Sequence, residues 1–448
     1  MNIRQDFVPG SARRIAVVGA GISGLAAAWL LSKRHDVTLF EAESRLGGHS
    51  NTVEADSVPV DTGFIVYNEK TYPNLTALFA HLDVATRASE MSFAVSLDGG
   101  RLEYSGSGLR GLFAQPRNLV SPRFASMMRD LLRFYRNAPR DLAGLGLESL
   151  DSYLDAHGYG TAFRYDHLYP MAAAIWSTPA AEVGRYPVAA FVRFCDNHGL
   201  LQLTDRPVWR TVVGGSHRYV SALREDFRGR VVAGGAIGAV RRHASGVTLL
   251  DADGNEQSFD HVILATHADQ ALALLEAPSV AEQDVLGAFG YSRNEAVLHS
   301  DARLMPRRRA AWAAWNYLAD RRAGEKLCVT YWMNRLQAIP ETHPLFVTLN
   351  PIEPPAEASV FYRAVYEHPL FDGGAMAAQK RLWSLQGEGG VWFCGAYFGA
   401  GFHEDGLQAG LAVAEALGGM RRPWKVADES GRIALPEGHT PMTYELAS

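Results

Sequence analysis

Three glycines (Gly19, Gly21 and Gly24), an acid at Glu41 and an adjacent pair, His403 and Glu404, are the residues whose types and spacing can do chemistry. Glycines in a G-x-G-x-x-G turn allow a tight bend, a close backbone approach to a pyrophosphate and close helix packing, in that order. Glu41 follows Gly19 by 22 residues, the spacing at which a carboxylate accepts hydrogen bonds from a ribose diol. His403 and Glu404 offer a general acid or base. They also allow a plainer reading, His403 as a helix cap and Glu404 as a partner for the helix dipole.

The elements that must hold these groups are readable around them. Residues 14–41 read as strand, helix and strand, with Gly19, Ala20, Gly21, Ile22, Ser23 and Gly24 at the first turn. A helix opening there points free N–H groups and a positive dipole end at phosphates. The competing reading is a turn that only packs a βαβ unit. Beyond Glu41 come Arg45 and then Gly47, Gly48 and His49, where a second glycine pair lets the chain run beside an extended cofactor or simply turn. Gly63, Phe64 and Ile65 lie in a strand-like stretch over 60–66. Near the far end, a strand reaching Gly395 leads to a helix predicted from about Gly406 to Leu417. Its start supplies a second positive dipole end, or else Gly406 and Gly410 form a packing pair.

Elsewhere the pattern predicts a helix over 71–83, a strand pair over 91–105 turning at 98–100, and mostly helix over 121–204. Short strands return after Val231, with a buried parallel-type strand over 261–266 and others over 294–300, 327–333, 345–349 and 391–395. Gly234 to Gly238 lacks the strand–turn–helix context of a second nucleotide fingerprint.

The chain has 448 residues, too many for one ordinary core, so about two domains are expected. A 47% apolar and 20% charged composition fits a globular protein, and a net charge of −5 gives no global pull toward nucleic acid. Cys195, Cys328 and Cys394 are scattered and odd in number, arguing for a reducing compartment and against a disulfide framework. No metal-type Cys/His spacing is present. No window reaches the roughly 18 apolar residues of a spanning helix, so a cytoplasmic location is expected.

The glycine turn, the Arg45–His49 stretch and the Gly395–Gly410 segment together resemble the flavin-dependent amine oxidase and phytoene desaturase superfamily over nearly the whole chain. The resemblance implies an α/β fold: a Rossmann-type FAD-binding domain with an inserted α+β substrate domain of mixed sheet and helices. The FAD-binding domain is expected over 1–85, 205–290 and 385–425, the substrate domain over 86–204 and 291–384, and a C-terminal tail over 426–448. Noncovalent FAD is implied, with Ala20, Ser23, Glu41, Arg45, Gly48, His49, Val240, Gly395 and Leu407 near it. The lysine position of primary-amine oxidases falls near Asn294, and no lysine stands there.

Further stretches are similar to the flavin-binding N-terminal domain of plant cyclopropane fatty acid synthases and its stand-alone bacterial relatives. They include Met91 to Leu97, Ile175-Trp176-Ser177, Ala311 to Asn316, Leu327 to Asn334 and Gly401 to Leu407. That similarity implies chemistry on a lipid acyl chain, with a lipid methyltransferase as partner. An amine or carotenoid-like substrate, a double-bond isomerisation and a non-enzymatic partner subunit are the alternatives. Under either flavin reading His403 and Glu404 are the acid/base candidates, with His49 and Tyr67 behind them.

Charge pattern bears on a lipid substrate. Arg129, Arg133, Arg136 and Arg140 repeat at helical spacing beside an apolar stripe of Phe124, Met128, Leu131, Leu132 and Tyr135. A basic amphipathic helix within 110–140 is suited to a peripheral membrane contact, or is an ordinary solvated face over a packed helix. A second cluster lies at Arg303, Arg307, Arg308 and Arg309. The aromatics Trp176, Trp209, Trp312, Trp315, Tyr317, Tyr331, Trp332, Tyr397, Phe398 and Phe402 line an apolar channel or pack a core.

Overall fold

The computed structural model describes residues 12–436, apart from 147, 177–182, 198, 203–205 and 321–325. The predicted Ser177 and the Trp176 side chain fall outside the described part, as do 437–448 of the expected tail.

The apolar run Arg14–Val18 becomes the middle strand of a five-stranded parallel sheet. Its neighbours are Asp36–Glu41 and then Arg230–Ala233 on one side, and His261–Leu264 and then Val391–Phe393 on the other. These short apolar strands are covered on both faces, as parallel sheets require. The Ile22–Leu31 helix is buried along its whole length and packs on the His403–Ala416 helix. The contact is close because Gly406 and Gly410 carry no side chain. A Cβ on Gly406 would lie 2.8 Å from Ser23 Oγ, and one on Gly410 would strike the Ser23 carbonyl.

A second, seven-stranded sheet runs Val360–Leu370, Gly290–His299, Phe346–Leu349, Lys326–Trp332, Trp315–Asp320, Phe93–Leu97, Leu102–Ser105. It is antiparallel except where Trp315–Asp320 runs parallel to Phe93–Leu97. The Pro122–Asp141, Leu150–Ala156, Tyr169–Trp176 and Val188–Asn197 helices build a core with this sheet, separate from the core of the parallel sheet. The architecture is thus the α/β arrangement expected, with a mixed-sheet and helical portion inserted between pieces of the parallel sheet.

Two local outcomes differ from expectation, and a third falls to one of the two alternatives. The eleven-residue Val360–Leu370 strand stands where no strand is expected. The apolar stripe of the Pro122–Asp141 helix packs inward, as an ordinary packed helix does: Phe124 and Leu131 are buried and Met128 and Tyr135 line a cavity, while Leu132 stays exposed. Residues 426–436 do not trail away as a tail. Arg432 Nε donates to Asp405 Oδ1 at 2.6 Å, and Ile433 joins the core of the parallel sheet.

Candidate functional site

One cavity of about 1880 Å³ runs from the first glycine turn to the interior of the second sheet and its helices. Gly19, Ala20, Gly21, Ile22, Ser23, Glu41, Arg45, Gly47, Gly48, His49, Gly63, Phe64, Ile65, Gly395 and His403 all line it. The sequence spread these groups over nearly 400 residues, and the fold collects them on one wall.

The nucleotide end follows from backbone geometry. Gly19 has φ 99°, and a Cβ there would sit 2.8 Å from the Ala265 carbonyl oxygen. Gly24 does not reach the cavity. A Cβ on it would collide with the Gly19 carbonyl, so it serves the packing of helix on turn. Gly21 has open space where a side chain would be, and Gly48 (φ 56°) crosses so near that its Cβ would lie 3.1 Å from Gly21 Cα. Glu41 Oε2 accepts from the Ala20 N–H at 2.7 Å, which ties the acid to the turn. Arg45 Nη1 donates to the Gly48 carbonyl at 2.9 Å and its Nη2 pairs with Glu43. His49 is half-buried, and its Nε2, out of reach of solvent, has no hydrogen-bond partner among the described residues. Burial pulls its pKa down to about 3, with nearby His368 adding to the effect. The cradle of bare glycines, the acid beside the turn and the orphaned His49 nitrogen fit a dinucleotide that brings its own polar groups.

Three predicted contacts are corrected. Val240 does not line the cavity: its carbonyl accepts the Glu276 N–H and its strand pairs with Gly246–Asp251. The groups that reach the cavity are Gly235 and Ile237, and Gly235 N–H is bonded to the Glu41 carbonyl. Leu407 is fully buried and away from the cavity, because the helix begins at His403, earlier than predicted, and presents Phe402 and His403 instead. Glu404 is not an acid/base. It is fully buried and accepts from the N–H groups of Asn74 (3.0 Å) and Leu75 (2.9 Å), from Asn74 Nδ2 and from Gln408. It therefore satisfies orphan donors at the start of the Pro73–His81 helix.

His403 sits on the cavity wall. Its ring stacks on Phe64 at 3.9 Å, and its Nε2 lies 2.7 Å from the Tyr219 hydroxyl, itself 2.5 Å from Ser50 Oγ. Burial pulls the His403 pKa down to about 3, so the ring is neutral. Tyr67 is buried and does not line the cavity.

Next to His49 the lining holds residues that the sequence did not single out, with the Tyr366 and His368 rings 5.1 Å and 5.6 Å from the His49 ring. On the Val360–Leu370 strand, Tyr362, Ala364, Tyr366 and His368 recur with period two and all line the cavity, joined by Glu367. His267 stacks on Tyr291 at 4.4 Å and lies 3.5 Å from Glu367. That alternation is the signal by which the strand could have been found. Asn294 is buried and bonded to His368, and no lysine lines the cavity among the described residues.

Away from the glycines the cavity turns apolar. Met128, Leu131, Met171, Ile175, Phe194 and Leu200 wall a limb inside the helical portion. Three of the polar groups there bond one another, and the Arg206 cation borders them. Tyr104 OH donates to the Asp166 carbonyl (2.8 Å) and meets His167 Nδ1 (2.9 Å), while Tyr135 OH meets His167 Nε2 (3.1 Å). Burial holds His167 neutral, with a pKa down near 4. Trp209, Trp315, Tyr331, Tyr397 and Phe402 also line the cavity. Trp312 and Trp332 do not; they pack with Met305 and Phe346 in a small cluster of their own. Tyr317 and Phe398 are core residues.

Residues 22–298 match the sequence profile of flavin containing amine oxidoreductases. The chain belongs to that family. Family membership and the glycine cradle together make FAD its cofactor. Among curated proteins, carotenoid phi-ring synthase of Streptomyces griseus is 27% identical, over 61% of this chain and 56% of that one. Coproporphyrinogen III oxidase of Mycobacterium leprae is 29% identical, over 59% of this chain and 62% of its own length. The chain thus spans roughly half to two thirds of these relatives. Among solved structures, wild-type putrescine oxidase bound to putrescine superimposes with a TM-score of 0.65 at 18% identity, covering 91% of this chain and 99% of the other. The CLA-producing fatty acid isomerase from P. acnes gives 0.61 at 14% identity, covering 89% and 97%. At these identities the likeness establishes the amine-oxidase-like fold.

Proposed function

We propose that this family member is an FAD-dependent oxidoreductase that dehydrogenates a fatty acyl chain of a membrane phospholipid, unsaturated or methyl-branched. The observation that carries the reading is the apolar limb of Met128, Leu131, Met171, Ile175, Phe194 and Leu200, beside which Tyr104, Tyr135 and His167 bond one another. A wall that is mostly apolar offers an alkyl chain dispersion contacts. The absence of lysine from the described cavity wall, with Asn294 in its place, argues against a primary amine. The similarity to the flavin domain of cyclopropane fatty acid synthases points the same way, and a lipid methyltransferase acting on the same acyl chain is the proposed partner.

Bound FAD supplies hydride acceptance at its N5. The chain's part is to hold the substrate dry and to place hydrogen-bonding groups. His403, neutral and clamped by Phe64 and Tyr219, holds a proton beside the cavity without adding charge to it. His368 presents its ring to the cavity from the Val360–Leu370 strand, beside His49.

Mass spectrometry of lipids from a deletion strain tests the reading. Loss of a set of acyl species two hydrogens lighter than precursors that accumulate in their place, restored by the intact gene, is expected. An unchanged acyl profile would overturn it.

A further inference from the structure

Leu109 (77% exposed) and Val208 (63% exposed) line the cavity yet stand in solvent, so they mark its mouth. The segment that carries Leu109 continues into a turn, Pro116–Val120, where Leu119 and Val120 are 65% and 83% exposed. Two large apolar side chains in water at the opening, and two more on the turn that follows Leu109 in the chain, are unusual for a surface with nothing to meet.

Beside that turn lies a second pocket of about 300 Å³, walled by Arg101, Arg117 and Arg123 with Asn118, Ser121 and Val120. Arg101 pairs with the buried Asp98 (2.8 Å) and Arg123 with the buried Asp166 (2.6 Å), which also borders the pocket. Those carboxylates anchor two guanidinium groups that remain about half exposed. Among the described residues Arg117 bonds the Arg101 carbonyl and Gln115 Oε1 and no carboxylate, so the three arginines have two carboxylate partners, Asp98 and Asp166. Arg110 is exposed and has no carboxylate partner among the described residues. The second arginine cluster lies near, with Arg303, Arg308 and Arg309 paired to Asp301, Glu103 and Glu341. The Arg309–Ala311 turn packs on Gly108–Leu112, and Arg307 lies against Gly100. The 20-residue Pro122–Asp141 helix opens at the pocket, capped by Ser121, and adds its positive dipole end.

We propose that the Arg101–Arg117–Arg123 pocket binds the phosphate of an anionic phospholipid, seating Leu109, Leu119, Val120 and Val208 in the leaflet so that the cavity mouth opens onto it. Arginine forks match phosphate oxygens two at a time. The apolar residues alongside select a headgroup in a membrane over a free phosphate. The purpose of the site rests on the acyl-chain reading of the cavity; its existence does not.

Flotation of the FAD-loaded full chain tests it, using vesicles of phosphatidylcholine alone or mixed with phosphatidylglycerol. Binding to the mixed vesicles alone is expected. Arg110→Gln and Arg117→Gln should each weaken it about fivefold, the equivalent of about 1 kcal/mol per arginine at an anionic surface. A double Leu119→Ser, Val120→Ser variant should weaken it where high salt has already screened the charges. Arg224→Gln, an exposed arginine on the His217–Asp226 helix, should change nothing. No binding to mixed vesicles, or equal binding by Arg117→Gln and by the double serine variant, would overturn the proposal. Saturable binding of inorganic phosphate without vesicle binding would also overturn it, assigning a soluble anion instead. Vesicle binding without acyl turnover would keep the docking site and remove the acyl reading.

Discussion

Asn294 donates from Nδ2 to His368 Nδ1 at 3.0 Å, while its Oδ1 accepts from Asn350 Nδ2 at 2.8 Å. The same Nδ2 also donates to the Ser292 carbonyl, which fixes the amide's orientation. His368 Nδ1 is therefore an acceptor, and the neutral ring carries its proton on Nε2. Burial, reinforced by His267, pulls the His368 pKa down to about 4 and keeps the ring neutral. Asn294 is thus an amide that sets a histidine tautomer.

Nitrogen NMR of histidine-labelled protein should find His368 protonated on Nε2. Asn294→Ala should give a mixture of tautomers and lower turnover about tenfold, the loss of roughly one positioning hydrogen bond. An unchanged tautomer in the variant would remove Asn294 from that role.

Glu404→Ala should damage the fold and spare the chemistry. Four donors would lose their acceptor, at a cost of about 3 kcal/mol or more in urea unfolding. Turnover per FAD-loaded molecule should stay within about threefold of wild type. His403→Phe should show the reverse, near-native stability with turnover reduced at least about tenfold.

Gly21→Ala and Gly24→Ala separate ligand contact from packing. Gly21 has open space, so its alanine variant should fold normally and bind FAD about tenfold or more weakly in a fluorescence titration. Gly24→Ala drives a methyl into the Gly19 carbonyl and should lower the melting temperature of the FAD-free chain as well.

Acid should destabilise the FAD-free chain early. His49 and His403, with pKa values near 3, and His167 and His368, near 4, all lie below the ordinary value of 6.5. Between 6.5 and about 4 the unfolded chain takes up protons that the folded chain refuses. Stability present above 6.5 is therefore lost as pH falls, by about 2 kcal/mol per histidine at pH 5. Denaturant midpoints should show this, and His49→Asn should reduce the loss by about one histidine's share.

Legibility in the sequence followed locality. The glycine turn, its flanking strands and Glu41 were readable because one βαβ unit contains them all. Val240, taken from the resemblance alone, misses Ile237 because the strand changes register between Ile237 and Ala239, a local irregularity that a carried-over position does not contain. Glu404 was over-read because neighbours on a helix point about 100° apart, so His403 on the cavity leaves Glu404 against Asn74. The Val360–Leu370 strand was hidden by Pro369 and by the charges at Arg363 and Glu367. The inward turn of the Pro122–Asp141 stripe depended on what packs beside it, which no local pattern states.

Met128→Trp tests the apolar limb. Its side chain lines the cavity without being part of the glycine cradle. The variant should keep FAD and lose activity on long acyl chains first, about tenfold or more, with shorter chains spared.

The most direct measurement is anaerobic mixing of the FAD-loaded chain with methyl-branched or unsaturated phospholipid, following the flavin absorption and the lipid mass together. Bleaching of the flavin with loss of two hydrogens from the acyl chain is the predicted result, with no bleaching by primary amines. Bleaching by an amine and not by lipid, or a rearranged lipid of unchanged mass, would contradict the account.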